Sequence, residues 1–385
     1  MISPRRAVRV LLTVLGLITL GLNLYIYNYD RLDVANCRFG PESDIRLLAF
    51  GDPQIRGSDQ NTPLRTRLDI FGNDYFLGHI YRLLTKRLDP THVAVMGDLF
   101  SSQWIGDQEF HHRAKRYKER IFTHWDSPHP VFINVSGNHD IGYAGEMTTP
   151  RVRRFRHEFG ELNYVREYDN WRFVVLNTLA LDGPAVDDKF PKETAEFLDE
   201  LKDSQFVGPT VLITHVPLHK PAGICRDGPS FTYYTDYPEN WLRSQNHLSY
   251  EATQRVLNSV FTPGNPYGGV MLAGHDHEGC KATYFYDGSE WKAYPYQSVS
   301  SSVQEYTVKS MMGEYGGNAA LLSGVFDKTA MTWSFKYSLC PFAVQHVWWV
   351  TKVVTIITIA LTLSYGLLHI ITAPPRPHTP PIKKD

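Results

Sequence analysis

Blocks of hydrophobic and polar residues alternate along the middle of the chain. Short apolar runs predict strands at residues 46–50, 92–96, 131–135, 173–176, 210–213, 269–273 and 319–326. Helical spacing or charge predicts helices over 74–87, 110–124 and 192–202. Because the strands are apolar throughout and alternate with helices, the pattern predicts an α/β fold whose sheet is buried by helices on both faces.

Two longer apolar runs lie near the ends of the chain, from residue 10 to 27 and from residue 353 to 371. Each is long enough to cross the ~30 Å hydrocarbon core of a bilayer as a helix. A cleaved signal peptide is the alternative for the first run, and a buried core helix is the alternative for the second.

Basic residues precede the first run and follow the second, so the positive-inside rule predicts both tails in the cytosol. The predicted segments are a cytosolic tail (1–9), a transmembrane helix (10–28), an exported domain (29–345), a second transmembrane helix (348–371) and a second cytosolic tail (372–385). Lys383 and Lys384 resemble a dilysine signal for retrieval to the endoplasmic reticulum, displaced by one position from the usual spacing.

All four cysteines fall in the exported domain, where an oxidising compartment favours up to two disulfides with three possible pairings. Cys37 and Cys340 bracket the domain, so we expect them to pair, which leaves Cys225 with Cys280. Four free thiols are the alternative.

The overall charge excludes one class of partner. The chain has 39 basic and 40 acidic residues and no extended basic run, so nothing in its charge favours nucleic-acid binding.

Five of the predicted strands are followed by polar side chains that can bind metal. Strand ends meet at one edge of an α/β sheet, so these side chains are expected to converge. Carboxylates, an amide and imidazoles without a thiolate suit Mn²⁺, Fe, Zn²⁺ or Mg²⁺. Six ligands are too many for one catalytic metal with open positions, so we predict two divalent metals that share a carboxylate. The candidate ligands are Asp52, Asp98, Asn138, His215, His275 and His277.

The motifs that carry these residues resemble those of the calcineurin-like metallophosphoesterases, in order and spacing. The resemblance implies a four-layer α-β-β-α sandwich flanked here by two transmembrane helices. The matching segments are Gly51-Asp52-Pro53-Gln54, Gly97-Asp98-Leu99-Phe100-Ser101, Gly137-Asn138-His139-Asp140, Thr214-His215 and Gly274-His275-Asp276-His277.

The resemblance also implies roles. Asp98 bridges the metals, Asp52 and His277 complete one site, and Asn138, His215 and His275 complete the other. His139 is the catalytic residue that faces the substrate and stabilises or protonates its oxygens. Asp140 and Asp276 are expected to orient neighbouring imidazoles, with simple exposure to solvent as the alternative.

Two positions depart from the family pattern. Gln54 stands where the family has His, so one metal loses an imidazole and gains at most a weak oxygen ligand or a partner for a bound water. Ser101 stands where a carboxylate would orient the substrate-facing histidine, which leaves open whether His139 is a general acid.

The departures, together with residues 305–318, resemble the membrane phosphoesterases that remodel glycosylphosphatidylinositol (GPI) anchors. That resemblance implies a phosphodiesterase of the endoplasmic-reticulum membrane that removes ethanolamine-phosphate from a mannose of GPI anchors, with cycling to the Golgi as an alternative to residence in that membrane. It implies Mn²⁺ as the metal, with Zn²⁺ or Fe as alternatives, and p24-type cargo receptors as partners in export. The loop 311–318 is interpreted as a turn, with a place at the mouth of the pocket as the alternative.

Two other functions stay open at this point. A membrane phosphomonoesterase or protein phosphatase would need a deep pocket with several basic residues for a dianion. A non-catalytic adaptor for cargo receptors would explain the changes at Gln54 and Ser101. Metal identity, the particular mannose and the oligomeric state are not determined by the sequence.

Overall fold

The computed structural model describes residues 3–32, 37–59, 61–204, 206–236, 240–263, 267–299, 302–330 and 332–372. The chain forms two compact units, one of residues 30–345 and one of the two ends, 1–29 and 346–385. Most of the predicted C-terminal tail, including Lys383 and Lys384, lies outside the described residues.

The larger unit contains two main sheets and a small hairpin. The first sheet consists of β1 (Ile45–Phe50), β2 (His92–Val95), β3 (Val131–Asn134), β13 (Asn318–Asp327) and β14 (Thr332–Pro341). The second consists of β4 (Tyr164–Tyr168), β5 (Trp171–Val175), β6 (Thr210–Ile213), β9 (Gly269–Ala273), β10 (Cys280–Tyr286), β11 (Trp291–Pro295) and β12 (Val303–Thr307). The hairpin is β7 (Phe231–Tyr233) with β8 (Leu242–Gln245).

The parallel strands are neighbours in each sheet, at one side of the first sheet and at the centre of the second. The orders are β14-β13-β1-β2-β3 and β11-β10-β12-β9-β6-β5-β4. Strands β1 to β3 run parallel, as do β12, β9, β6 and β5, so their carboxyl ends share an edge within each sheet.

The main core lies between the two sheets. Alternate residues of β1, including Leu47 and Ala49, meet inward residues of the second sheet such as Phe173, Ile213 and Leu272. Because strand side chains alternate between faces, the intervening residues of the same strands point away from this core.

Helices cover the outer faces. On the first sheet, Phe50 of β1 packs edge-on against Tyr81 of α2. On the second, Arg172 of β5 donates to Val260 O of α7 and to Ser204 Oγ after α6. The helices of this unit are α2 (Leu64–Leu88), α3 (Asp107–Arg116), α4 (Asn138–Ile141), α5 (Thr149–Phe159), α6 (Lys189–Asp203) and α7 (Tyr250–Val260).

This architecture corrects one prediction and confirms another. The expectation of a single sheet with helices on both faces is wrong, because each sheet has helices on one face and the other sheet on the opposite face. A strand that is apolar on both faces is expected in both arrangements, because a facing sheet excludes water as well as a layer of helices does. The four-layer α-β-β-α sandwich implied by the family resemblance is confirmed.

The terminal unit consists of two long apolar helices, α1 (Pro4–Leu32) and α8 (Gln345–Ile371). By length and composition, Pro4–Asn28 and Gln345–Ile371 can each cross a membrane. Thr19 Oγ1 lies 2.7 Å from Thr358 Oγ1, and Asn23 Nδ2 donates to Thr355 Oγ1 at 2.9 Å, an arrangement typical of paired membrane helices. Helix α8 exposes most of its side chains, so the core-helix alternative does not hold.

Two disulfides close the larger unit. Cys37 is bonded to Cys340 and Cys225 to Cys280, which confirms the predicted pairing. The first bridge ties the residues after α1 to β14 across 303 positions of sequence, so it joins the two ends of the unit.

Candidate metal centre

The carboxyl ends of β1, β2, β6 and β9 bring the predicted ligands together. Asp52 and Asp98 follow strands of the first sheet, whereas His215 and His275 follow strands of the second. Asp52, Gln54, Asp98 and His275 all have positive φ angles. Such strained backbone in non-glycine residues clusters at functional sites, and here it turns each side chain toward one point.

Asp98 lies at the centre of the cluster and is almost completely buried. Its Oδ1 atom is 3.3 Å from His215 Nε2 and accepts the backbone N–H of His139 at 2.8 Å. Its Oδ2 atom is 3.4 Å from Gln54 Nε2. The carboxylate therefore faces groups from both sheets, as a bridging ligand must.

The orientation of His215 points to a cation. Its Nδ1 atom lies 2.7 Å from Met96 O, and a carbonyl can only accept, so the proton is on Nδ1. Nε2 then turns a lone pair toward Asn138 Oδ1 at 3.0 Å and Asp98 Oδ1 at 3.3 Å. An imidazole nitrogen, an amide oxygen and a carboxylate oxygen that face one another in a buried site form a donor set suited to a cation.

A second set of donors surrounds Asp52. Its Oδ2 atom accepts the backbone N–H of His275 at 2.9 Å and lies 3.1 Å from His277 Nε2. Its Oδ1 atom is buried and has no hydrogen-bond partner among the described residues. Gln54 Nε2 lies 3.4 Å from His277 Nε2, so Gln54 occupies the position expected for the missing imidazole.

His275 is held by residues that carry no sequence motif. Its Nε2 atom lies 2.5 Å from Gln245 O and 3.5 Å from Tyr143 Oη. Donation to the Gln245 carbonyl leaves Nδ1 free for a metal. Gln245 and Tyr143 were missed in the sequence because a backbone carbonyl and a distant hydroxyl leave no spacing signal.

His139 lies at the edge of the cluster. Its Nε2 atom is 3.8 Å from Asp98 Oδ2 and its side chain is 37% exposed, enough to meet a substrate. Its Nδ1 atom is buried and finds no partner in the part of the chain that the structure describes. Ser101 Oγ instead accepts from Arg113 at 3.0 Å, so the family's orienting carboxylate has no substitute at that position.

The two other acidic residues of the motifs hold backbone rather than imidazoles. Asp140 accepts the backbone N–H groups of Gly137, Leu99 and Phe100 at 2.8, 3.1 and 3.0 Å. Asp276 accepts the backbone N–H of Glu278 at 3.0 Å. In place of the expected contacts with imidazoles, both carboxylates accept hydrogen bonds from the backbone of the loops that carry the candidate ligands.

Gly137 is required by close packing at the centre. A Cβ atom at this position would overlap both the backbone and the carboxylate of Asp98. Only glycine lets the loop after β3 approach the loop after β2 this closely.

Protonation states in the cluster suit metal binding. Burial raises the pKa of Asp98, but the neighbouring imidazoles, His215 first, outweigh burial and leave that pKa below its ordinary value. Burial, aided by His215, lowers the pKa of His275 to about 4. An ionised carboxylate and a neutral imidazole at neutral pH are the forms that coordinate metals.

A polar cavity of about 310 Å³ lies beside His277. Its lining includes both departures from the family pattern, Gln54 and Ser101, together with residues 312–315 of the glycine-containing loop. The ring of Tyr315 stands edge-on to His277 at 4.6 Å between centroids. Residues 312–315 of the loop 311–318 therefore lie at the pocket, as the alternative interpretation of this loop predicts.

These residues fit a pair of divalent cations. Oxygen and nitrogen donors converge, a carboxylate lies between them, and a buried carboxylate oxygen has no partner within the described part of the chain. Asp98, His215 and His275 offer ligand atoms within 4.8 Å of one another.

Comparison with known proteins gives the chain a family. No protein-family model matches it. It is 43% identical to protein TED1 of Saccharomyces cerevisiae, over 83% of this chain and 82% of that protein. It is 23% identical to the metallophosphoesterase 1 homologue of Caenorhabditis elegans, over 76% of this chain and 73% of that protein. A 5′-nucleotidase precursor from Thermus thermophilus aligns with 85% of this chain and 59% of its own at 12% identity and a TM-score of 0.36. The chain belongs to the calcineurin-like metallophosphoesterases, as a metal-dependent phosphoesterase related to TED1 and metallophosphoesterase 1.

Proposed function

We propose that this protein is a two-metal phosphodiesterase that removes ethanolamine-phosphate from a mannose of GPI anchors. The observation that carries the proposal is the convergence of carboxylate, amide and imidazole groups at the edge of the two sheets, beside a polar cavity, with Asp52 Oδ1 buried and without a partner among the described residues. In the hydrolysis, water adds to phosphorus, the bond from phosphorus to the sugar oxygen breaks, and that oxygen takes up a proton.

In this proposal Asp98 bridges the two metals. When bound, the metals polarise the phosphoryl group and activate water. Asp52 and His277, with Gln54 nearby, would hold one metal, and Asn138, His215 and His275 would hold the other. His139 would contact the phosphoryl oxygens or the leaving oxygen through Nε2, the atom nearest to Asp98.

The cavity favours a diester over a monoester. A phosphomonoester dianion would call for several unpaired cations, but the only Arg or Lys among the residues that line this cavity is Arg56. Arg56 is already paired with Asp69. A monoanionic diester needs no further counter-charge beyond the metals.

The proposal places the protein in the endoplasmic-reticulum membrane with its catalytic unit in the lumen, with possible cycling to the Golgi. Two long apolar helices support a membrane location, and two disulfides fit an oxidising compartment. Mn²⁺ is the proposed metal, and p24-type cargo receptors are the proposed partners in export.

Model substrates test the reaction. Purified full-length protein in detergent with Mn²⁺ should hydrolyse bis(p-nitrophenyl) phosphate with a higher kcat/KM than p-nitrophenyl phosphate. The opposite order would favour the phosphomonoesterase.

Cells test the substrate and the adaptor alternative. Mass spectrometry of GPI glycans from cells lacking the protein should show ethanolamine-phosphate retained on one mannose. Restoration of normal glycans by Asp98→Ala would rule out a catalytic role and support the adaptor.

A further inference from the structure

We propose that the cavity beside His277 is a subsite for a primary ammonium group carried by the phosphodiester. The inference rests on the proposed diesterase function and deepens it, because it assigns the recognition of the substrate's amine to named residues. Glu314 and Tyr315 are the specificity-determining residues.

The cavity is continuous with the metal centre. His277 Nε2 lies 3.1 Å from Asp52 Oδ2, and His277 also lines the cavity. Gln54 lines the cavity too, and its Nε2 atom lies 3.4 Å from Asp98 Oδ2. A phosphoryl group at the metal centre would therefore place its substituent in this space. About 310 Å³ is at the small end of ligand pockets, which suits a short aminoalkyl chain better than a glycan.

The charges of the residues that line the cavity favour binding of a cation. Asp69 and Glu314 supply two carboxylates, whereas Arg56 supplies one guanidinium that is paired with Asp69. Glu314 has no ion-pair partner among the described residues, so it leaves the cavity with an uncompensated negative charge. A carboxylate substituent would be repelled there and an ammonium attracted.

The remaining polar groups offer acceptors. Gln345 Nε2 donates to Asn73 Oδ1 at 3.1 Å, which leaves the Gln345 carbonyl oxygen as an acceptor in the lining. An ammonium group has three donors and no acceptor, so a carboxylate and an amide oxygen match it.

Tyr315 adds an aromatic face. Its ring stands edge-on to His277 and lines the cavity, and Tyr315 directly follows Glu314 in the loop. A cation within about 6 Å of a tyrosine ring gains electrostatic attraction from the ring face. The loop at residues 312–315 thus combines a carboxylate and an aromatic ring, two groups that bind ammonium ions.

A pair of isosteric diesters tests this subsite. Full-length protein in detergent with Mn²⁺ is assayed on p-nitrophenyl 2-aminoethyl phosphate and on p-nitrophenyl propyl phosphate, in which a methyl group replaces the ammonium. We expect kcat/KM to favour the aminoethyl ester by about tenfold. Glu314→Gln should bring this ratio close to one, and Tyr315→Leu should lower it in part.

The matched control is Glu290→Gln, which changes a glutamate that lines a different cavity, with His219 and Tyr250. Its ratio should equal that of the unchanged protein. Equal rates on the two esters in the unchanged protein, or an equal loss of preference in Glu290→Gln, would overturn the subsite and leave the diesterase intact. Hydrolysis of p-nitrophenyl phosphate but of neither diester would overturn the proposed function itself.

Discussion

Two clusters of buried polar groups in the larger unit are built in opposite ways. Lys220 and Glu305 form an ion pair at 2.8 Å, with both side chains only 1% exposed. The ammonium also donates to Leu218 O, and Tyr284 Oη donates to the second carboxylate oxygen at 2.7 Å. At the candidate metal centre, by contrast, Asp52 Oδ1 and His139 Nδ1 are buried and have no partners among the residues that the structure describes.

The difference distinguishes a cluster that stabilises the fold from a cluster that is suited to binding a ligand. A buried ion pair with each carboxylate oxygen hydrogen-bonded is complete without a ligand, so it specifies how the β10–β12 region packs. A cluster that gathers carboxylate, amide and imidazole groups and leaves a carboxylate oxygen unpaired among the described residues is suited to take up a cation. The pKa of Lys220 is lowered by burial, which Glu305 opposes, so the pair depends on its counter-charge.

The largest expected effect comes from removing the bridging carboxylate. Asp98→Ala should lower kcat/KM on a model diester at least about 1,000-fold, or about 4 kcal/mol in activation free energy, because both metals lose a shared ligand. Metal content measured by mass spectrometry should fall with it.

His139→Ala is the matched comparison for Asp98→Ala. It should lower the rate while both metals stay bound, because His139 is proposed to contact substrate rather than metal. Full metal content in Asp98→Ala, or loss of metal in His139→Ala, would show that these roles are wrongly assigned.

The opposite pattern is expected at the complete cluster. Lys220→Met should lower the free energy of unfolding by about 3–5 kcal/mol, because it leaves Glu305 as an unpaired buried charge. Urea unfolding of the full chain in detergent measures this loss.

The double variant Lys220→Met, Glu305→Gln removes both charges and should recover much of that stability. A loss of metal in Lys220→Met that exceeds its loss of stability would mean that the two clusters are not separate.

The smallest effect is expected at Gln54. Gln54→His should tighten metal binding by about tenfold, since it returns an imidazole beside His277 and Asp98. Competition with a metal chelator measures the affinity, with Gln54→Leu as the control that offers no ligand atom. If the Gln54→His variant bound metal no more tightly than the Gln54→Leu variant, position 54 would lie outside the metal environment.

Much of this site could be predicted because its signals are local. The sequence shows Asp, Asn or His just after each of five apolar strands. Glycine precedes that residue in four of these motifs and Thr214 precedes it in the fifth, and the five motifs in order predicted the six candidate ligands. The structure brings these side chains together, although their roles as ligands stay predictions. The cysteine pairing also followed from position along the chain, and the structure confirms it.

Other features depended on contacts between distant segments. Apolar strands specify burial on both faces but not what covers them, so the second sheet took the place expected for a layer of helices. Asp140 accepts the backbone N–H groups of Leu99 and Phe100, 41 and 40 positions away in sequence, instead of contacting an imidazole.

The sequence alone determined the strand ends, the donor types and the two apolar helices, because each depends on residues close together in the chain. Only the tertiary structure decided that Gln245 O holds His275 and that residues 312–315 line the cavity beside His277. These contacts join segments that are 30 or more residues apart, and no local pattern of hydrophobicity or charge specifies which distant atoms will meet.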